Sequence, residues 1–437
     1  MSAHAKATMQ AIMQALTLHP QSASIQVEQL PTPAPGPTEL LIRVGAVALN
    51  PVDWMFAAHP IATQERRVLG TDFAGTVVSR GSAVDEKIPI GVRVAGFLQG
   101  ACSTNERPGA FAEYVAIPSD LVWHVPDHLT LEQAASISMC GLTAAQAVFG
   151  RLGMPCPFVP STSPSLSTAY PGDPFAHHTP TEPVNVLVYG SSTSLGLYVA
   201  QLVQLVSRTS GQRIRLIGAA SRSKHAVLRQ KPYAYNVLVD YRSANWTEEV
   251  RAATGGKGVD FAVDCISEGE TVGKVESTFG SGGGRLAVIR APGNGGYDAS
   301  AMRVKPQYGA VWEGLGVEVR FLNGIVISIP CPFMSCFLCR QNAFADSTYL
   351  GMTIPANPQA REFATEFYKF LGSGAGYSET MLEPNPVRIM PGGLDRVAPD
   401  GFALLSSVRV SDREASDRSE GYMRPISLEK LVYSLIS

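Results

Sequence analysis

The stretch VNVLVYGSSTSLGLYVAQL, Val184 to Leu202, restricts the fold more than any other part of the chain. A continuous apolar run ends in glycine, a polar turn follows, and a helical pattern begins within a few residues. That order is the strand–turn–helix unit of a parallel sheet covered on both faces. In such a unit the turn aims backbone N–H groups and a helix N-terminus at a phosphate. Gly190 ends the strand and permits the tight turn, and Gly196 lets the helix approach the strand closely. Ser191, Ser192, Thr193 and Ser194 offer hydroxyls in place of some glycine backbone donors. Taken alone, the Gly-x5-Gly spacing fits a polar strand–helix loop in any α/β protein equally well.

The flanking sequence extends the pattern. IRLIGAA, NVLVDY, VDFAVDCI and GRLAVIRA read as further strands, with helical stretches such as LGLYVAQLVQLVS and KHAVLRQK between several of them. Upstream, IQVEQLP, ELLIRVGAVALN, FAGTVVSRG and GVRVAGF are short β-branched runs punctuated by Gly and Pro, which predicts a compact β domain. LTLEQAASISMCGLTAAQAVFGRLG then has helical periodicity with Thr130 as N-cap. A Pro/Ser/Thr-rich segment, residues 154–183, is expected to be a surface loop or insertion.

Composition removes several function classes. With 437 residues, 45% hydrophobic and 16% charged, the chain can bury a large core and is not disordered. A net charge of −2 without a basic run argues against nucleic acid. Seven scattered cysteines suggest reduced thiols and a cytoplasmic setting. The N-terminal stretch has no continuous apolar run of the secretory kind. Phe321–Cys339 is uncharged, but Pro330, Pro332 and the missing basic flank favour a buried or irregular insertion over a membrane span.

The second strand of the βαβ unit ends in IGAASRSKHA. A site for NAD usually carries Asp or Glu there, to accept from the ribose 2′-hydroxyl. Arg222 and Lys224 beside Ser221 and Ser223 suit a 2′-phosphate instead, so NADPH is expected, the alternative being a solvated basic turn.

Together with VALNPVDW, LGTDFAGTVVSRGS, GAFAEYVAIPSD, EQAASISMCGLTAA, VDYR, VDCIS, GGRLAVI, GGLDRV and EKLVY, these residues resemble the zinc-independent branch of the medium-chain dehydrogenase/reductase family. Within it the likeness is to fungal trans-acting enoyl reductases, which serve polyketide or polyketide–peptide synthases. The resemblance implies an α/β fold: a Rossmann-type doubly wound parallel sheet plus a GroES-like β domain. It implies a GroES-like domain over residues 1–135, completed by about 345–437, and a Rossmann domain over 136–344.

The resemblance also implies where NADPH binds. Val52, Asp53, Trp54 and Met55 match a segment near the nicotinamide, and Ser192, Thr193, Ser194 and Leu195 match the pyrophosphate turn. Ser223, Lys224, His225, Ala226 and Tyr241 match the 2′-phosphate and adenine site. Ile289 and Arg290 match a strand-end contact, and Ser427 and Leu428 a C-terminal one. Ala144, Ala145, Gln146, Ala147, Val148, Phe149, Gly150 and Arg151 match a substrate-lining helix. Thr143 is the catalytic candidate, for orienting nicotinamide or substrate, although a local backbone bond explains a helical Thr equally well.

No metal is expected. Asn50 and Thr71 stand where zinc-dependent relatives carry Cys and His, and Cys331, Cys336 and Cys339 lack a clear fourth ligand. Three departures from the family pattern stand out. Met55 replaces a lysine, residues 324–347 have no clear counterpart, and the tail before EKLVY is long. Each extra piece is a surface insertion or translated intron. The expected activity is reduction of an α,β-unsaturated acyl thioester held on a partner synthase, by a monomer. A free-standing quinone or enone reductase and a weakly catalytic cofactor-binding subunit are the alternatives.

Overall fold

The computed structural model describes residues 11–105, 107–159, 174–175, 182–320, 353–373, 382–405, 407 and 418–436. The N-terminal half is built on β1 (Ile12–His19), β2 (Ser24–Pro31) and β3 (Glu39–Ala48), then α1 (Pro51–Ala58). β4 (Arg67–Val68), β5 (Asp72–Arg80), β6 (Arg93–Phe97), β7 (Tyr114–Pro118) and β8 (Val122–His124) follow. β1 pairs antiparallel with β2 and with β4. Along β3, Leu40, Ile42 and Val44 are buried and Arg43 is exposed, the alternation of a sheet with one wet face. From Val44 to Ala48 every side chain is buried, because helices cover the second face there.

The helices α2 (Leu131–Ala135) and α3 (Ser138–Ala145) leave this β unit. Thr130 caps α2 as expected: its hydroxyl accepts from Gln133 N at 3.2 Å, and its own N–H donates to Gln133 Oε1 at 2.9 Å. A π-helical turn, Gln146–Arg151, prolongs α3.

The parallel sheet begins with β9 (Val184–Tyr189), α4 (Ser194–Ser210) and β10 (Ile214–Ala219). α5 (His225–Leu228), β11 (Val237–Val239), α6 (Trp246–Ala253), β12 (Phe261–Asp264) and α7 (Glu270–Glu276) come next. β13 (Arg285–Val288), α8 (Pro292–Gly295) and β14 (Pro306–Tyr308) complete it. The strand order is β11-β10-β9-β12-β13-β14, every pair parallel. Chain direction across the sheet reverses between β9 and β12, and ligands of doubly wound sheets bind at the carboxyl edge of that switch point. β9 is apolar because both its faces are covered, with Val184 to Val188 buried. The KHAVLRQK helix is shorter than its pattern suggests, since Pro232 cannot continue it.

β15 (Val319–Arg320) pairs with β16 (Thr353–Ile354), and α9 (Pro358–Ser373) packs over α3 and β8. β17 (Val387–Met390) and β18 (Lys430–Ser434) then return to the first sheet, in the order β17-β18-β3-β5-β6-β8. Val432 pairs with Ala48, so the end of the chain lies against the start of α1. The segment Phe321–Cys339, the cysteines at 331, 336 and 339, and residues 324–347 lie outside the described residues. No helix among the described residues is long and apolar enough to cross a membrane.

At Gly196 an added Cβ would sit 2.5 Å from Gly190 O and 2.8 Å from Ser191 Cα, rigid backbone on both counts. Gly196→Ala is expected to lower unfolding stability by about 1–3 kcal/mol in a urea titration. Gly273→Ala, in open space on α7, is expected to be neutral or slightly stabilising.

Candidate active site

The expected phosphate turn is compact. Gly190 takes φ +74°, and Thr193 caps α4 by accepting from Gly196 N at 3.0 Å. Ser192, Thr193 and Ser194 are half-buried and Leu195 is buried. α4 spans 17 residues and starts just beyond the end of β9, so its N-terminal amides and aligned dipole could hold an anion there. Gly190 N and Ser191 N both donate to Ala219 O at 3.1 Å, which fixes the turn against the end of β10.

The basic turn sits at that end. Lys224 N donates to Ser221 O at 2.8 Å, and the His225 ring is 3.0 Å from Ala220 O, folding the loop back on itself. Arg222, Ser223 and Ala226 are exposed and Lys224 is half-exposed. Tyr241, beyond β11, stands beside Ser221 at 3.5 Å under the Arg242 guanidinium. These cations and hydroxyls, with no carboxylate from Ser221 to Ala226, fit a 2′-phosphorylated ribose.

On the far side of the switch point, buried Asp264 organises the edge in a way sequence reading missed. Its carboxylate accepts from Ile266 N (2.9 Å), Ser267 N (2.8 Å) and Thr271 Oγ1 (2.8 Å). Ser267, strained at φ +54°, accepts from Ile289 N at 3.0 Å through its hydroxyl. That bond holds Ile289 and Arg290 at the end of β13. Arg290 pairs with Glu268 at 2.7 Å, so its guanidinium is locked. The pyrophosphate, adenine-side and nicotinamide-side residues expected from these loops therefore follow the ends of β9, β10, β11 and β13 along one edge.

Val52, Asp53, Trp54 and Met55 form the first turns of α1. Met55 is 9% exposed and packs in the main core, as an apolar wall does. Asp53 belongs to a buried polar cluster. Asn50 N donates to Asp53 Oδ2 at 2.7 Å, and Thr71 Oγ1 donates to the same oxygen at 3.2 Å. Asn50 Nδ2 donates to Thr71 Oγ1 and to Asp72 Oδ2, each at 2.8 Å. Asp72 Oδ1 accepts from Met139 N in α3 at 2.9 Å. Lys430 of β18 completes the cluster, with its ammonium 3.3 Å from Asp72 Oδ2, 3.5 Å from Cys140 Sγ and bonded to Asn50 Oδ1. Neither Lys430 nor Cys140 was picked out from the sequence, because nothing local links them to Asn50.

Burial acts to discharge Lys430, yet Cys140, Asp72 and Asp53 outweigh it and lift its pKa. Burial pushes the Asp72 carboxyl up, against Lys430, Asn50 and the Met139 amide. Burial also pushes Asp53 up to about 7, against the Asn50 amide and the Thr71 hydroxyl. Among the described residues no group of three or more His, Cys, Asp or Glu could hold a metal ion. Asn50 and Thr71 are engaged with Asp53, Asp72 and Lys430.

Thr143 Oγ1 donates to Met139 O at 2.8 Å, the local backbone bond that its helical position allows. Its hydrogen is spent there, and the oxygen remains an acceptor. Of the expected substrate-lining residues, Ala144, Ala145, Ala147, Val148 and Phe149 are buried and Gly150 and Arg151 half-exposed. Gln146 is 7% exposed, with both amide atoms unpaired among the described residues. Its Nε2 is 3.5 Å from where a Cβ on Gly314 would lie, and Arg151 pairs with Glu313. The helical turn Val311–Leu315 thus faces this segment, another contribution not visible in sequence.

Residues 36–127 match the alcohol dehydrogenase GroES-like domain. The trans-enoyl reductase xenG of Xenoacremonium sinensis is 34% identical over 93% of this chain and 91% of its own length. The chain belongs to the medium-chain dehydrogenase/reductase family, in the group that holds the fungal trans-enoyl reductases. The fold agrees. The CurK enoyl reductase superposes with a TM-score of 0.60 at 15% identity, covering 97% of this chain and 98% of that one. A mycobacterial protein solved with NADPH does so with a TM-score of 0.59 at 20% identity, covering 97% and 100%.

In this family member, Asp53 makes folding stability depend on pH. Its folded pKa of about 7 lies above its ordinary value of 3.8. Between those values the folded chain keeps a proton that the unfolded chain has released, so stability falls as pH rises through that window. The slope from one such group is at most about 1.4 kcal/mol per pH unit. Urea unfolding at pH 5 and pH 7.5 is expected to show a smaller difference in Asp53→Asn than in the parent. Equal differences would mean Asp53 is ionised throughout.

Proposed function

We propose that this chain is an NADPH-dependent enoyl reductase that acts in trans, as a cytoplasmic monomer, on an α,β-unsaturated acyl thioester carried by a polyketide or polyketide–peptide synthase. The observation that carries this reading is the near-full-length likeness to proteins named trans-enoyl reductases, one of them 34% identical. The CurK enoyl reductase and the mycobacterial neighbour complexed with NADPH support it at the level of fold.

When bound, NADPH supplies hydride for the β-carbon of the enoyl group. The residues would divide the remaining work. The α4 N-terminus with Ser192, Thr193 and Ser194 would bind the pyrophosphate, and Arg222, Ser223 and Lys224 the 2′-phosphate. Thr143, its hydrogen already donated to Met139 O, offers an acceptor to an amide N–H such as the nicotinamide carboxamide presents. Gln146, whose amide has no partner among the described residues, lies within the expected substrate-lining segment and would suit a polar group on the acyl chain or its thioester. The enolate oxygen needs hydrogen-bond donors where charge develops. Met55, a thioether packed in the core, cannot donate a proton, so the α-carbon proton is assigned to water or another side chain.

Two measurements test the reading. Lys224→Ala is expected to weaken NADPH binding by about 1–3 kcal/mol, as loss of a charged hydrogen bond does, with little change for NADH. Equal losses would make Lys224 a support for the fold or for a contact common to both cofactors. Purified protein offered NADPH with a free quinone, a simple enoyl thioester or a carrier-bound enoyl chain is expected to turn over the last fastest. Preference for the quinone would favour a free-standing reductase, and no turnover with any of them a cofactor-binding subunit.

A further inference from the structure

The cluster around Lys430 joins segments that are far apart in sequence. Asn50 is the N-cap of α1, which carries Val52 to Met55. Met139 and Cys140 lie in the first turn of α3, one turn before Thr143. Lys430 opens β18, two residues after Leu428. The ammonium has three hydrogens and finds one partner on each side: Asp72 at the start of β5, Asn50 before α1 and Cys140 in α3. Asp72 in turn binds the Met139 amide of α3 and the Asn50 side chain. Side-chain exposure is 4% for Lys430 and 0% for Asp72.

Leu428 adds a second observation. It holds φ +59°, a left-handed conformation that is unfavourable for a side chain of this size and persists only when the surroundings impose it. Both following residues are clamped. Glu429 pairs with Arg388 and with Arg424 Nη2 at 2.7 Å, and Lys430 is tied into the cluster. Arg388 also donates to Tyr422 O, Arg424 O and Pro425 O, so the chain leading into Leu428 is pinned from both ends. A buried ion pair is a weak source of stability compared with apolar packing, and fixing one geometry is the better-attested use of such groups.

We propose that Lys430 is a positioning residue, whose ammonium holds α1, the start of α3 and the strained Leu428 junction in a single register beside the segments that the resemblance assigns to the nicotinamide. The proposal rests on the reductase reading above for the meaning of that register. Lys430 itself is too deeply buried to touch substrate and acts through Asn50, Asp72 and Cys140.

The test compares Lys430→Met and Lys430→Arg with the parent, below the melting temperature of all three. Hydrogen exchange is read on the protein alone. Met is expected to raise exchange at Met139 and in the first turn of α1 while leaving β9 and α4 protected, and Arg to restore part of that protection. With NADPH, the bound nicotinamide fluorescence is expected to shift in the Met variant while the dissociation constant changes less than about threefold, since the phosphate contacts lie elsewhere. Single-turnover reduction is expected to fall about 10–100-fold, the effect of a small misplacement of reacting groups. If Lys430→Met does not fold, Asn50→Ala, which cuts the link from the ammonium to α1, is expected to show the same exchange and rate changes in weaker form. A folded variant with parental protection and parental single-turnover rate overturns the proposal. So does a loss of rate matched by an equal loss of NADPH affinity. Because exchange needs no acceptor, a parent protein that reduces no enoyl thioester sinks the functional reading and leaves the Lys430 result standing.

Discussion

A carboxylate with no exposure, Asp72, stands between an ammonium from the end of the chain and the first turn of α3. Removing a single member would leave a charge in a medium that cannot solvate it, at a cost of about 3–5 kcal/mol. The pair therefore fixes β18 against β5, beside the β18–β3 ladder, and links both to α3. α3 leads through the π-helical turn Gln146–Arg151 toward the parallel sheet. The polar cluster is thus the joint where the β unit, the C-terminal strands and the route to the cofactor edge meet. Tyr198 reinforces it from α4, donating to Ser136 O at 3.2 Å and accepting from Asn385 N at 3.1 Å.

The cofactor edge depends on a different economy. Its loops are short, and each is fixed by one polar side chain turned back on the backbone. Thr193 caps α4, His225 meets Ala220 O, and Asp264 gathers Ile266, Ser267 and Thr271. Loops pinned in this way keep their remaining N–H and O–H groups aimed outward at low entropic cost. The same logic places the residues that would read the cofactor on loops and the rigidity that aims them on strands.

How much of this could be read from the chain follows from how far each interaction reaches. The turn around Gly190 and Gly196, the Thr130 cap and the strand pattern from Val184 to Ile289 are local or periodic, and they stand where the sequence puts them. The β17 and β18 strands join the first sheet, in keeping with the resemblance of their motifs. What escaped notice is long-range. Lys430 is 358 positions from Asp72, within a run that reads as an ordinary strand start. Asp264 and Ser267 look like the polar end of a strand until Ile289 is found on the Ser267 hydroxyl. Thr143 shows the converse limit, since its hydrogen bond to Met139 O accounts for it locally without excluding contact with a ligand. For Ser427 and Leu428 the sequence carries no hint of strain, and the positive φ of Leu428 is visible only in the fold.

In the proposed function, the residues of the cofactor edge reduce a conjugated acyl chain held on a carrier. The most direct measurement follows the atom transferred. NADPH deuterated at the nicotinamide C4 is incubated with the protein and a carrier-bound enoyl chain, and the released acyl product is analysed by mass spectrometry and NMR. The expected product is a saturated chain bearing deuterium at the β-carbon and a solvent proton at the α-carbon. Recovery of the unchanged enoyl chain, or deuterium lost to an added quinone while the carrier-bound chain stays unsaturated, would contradict it.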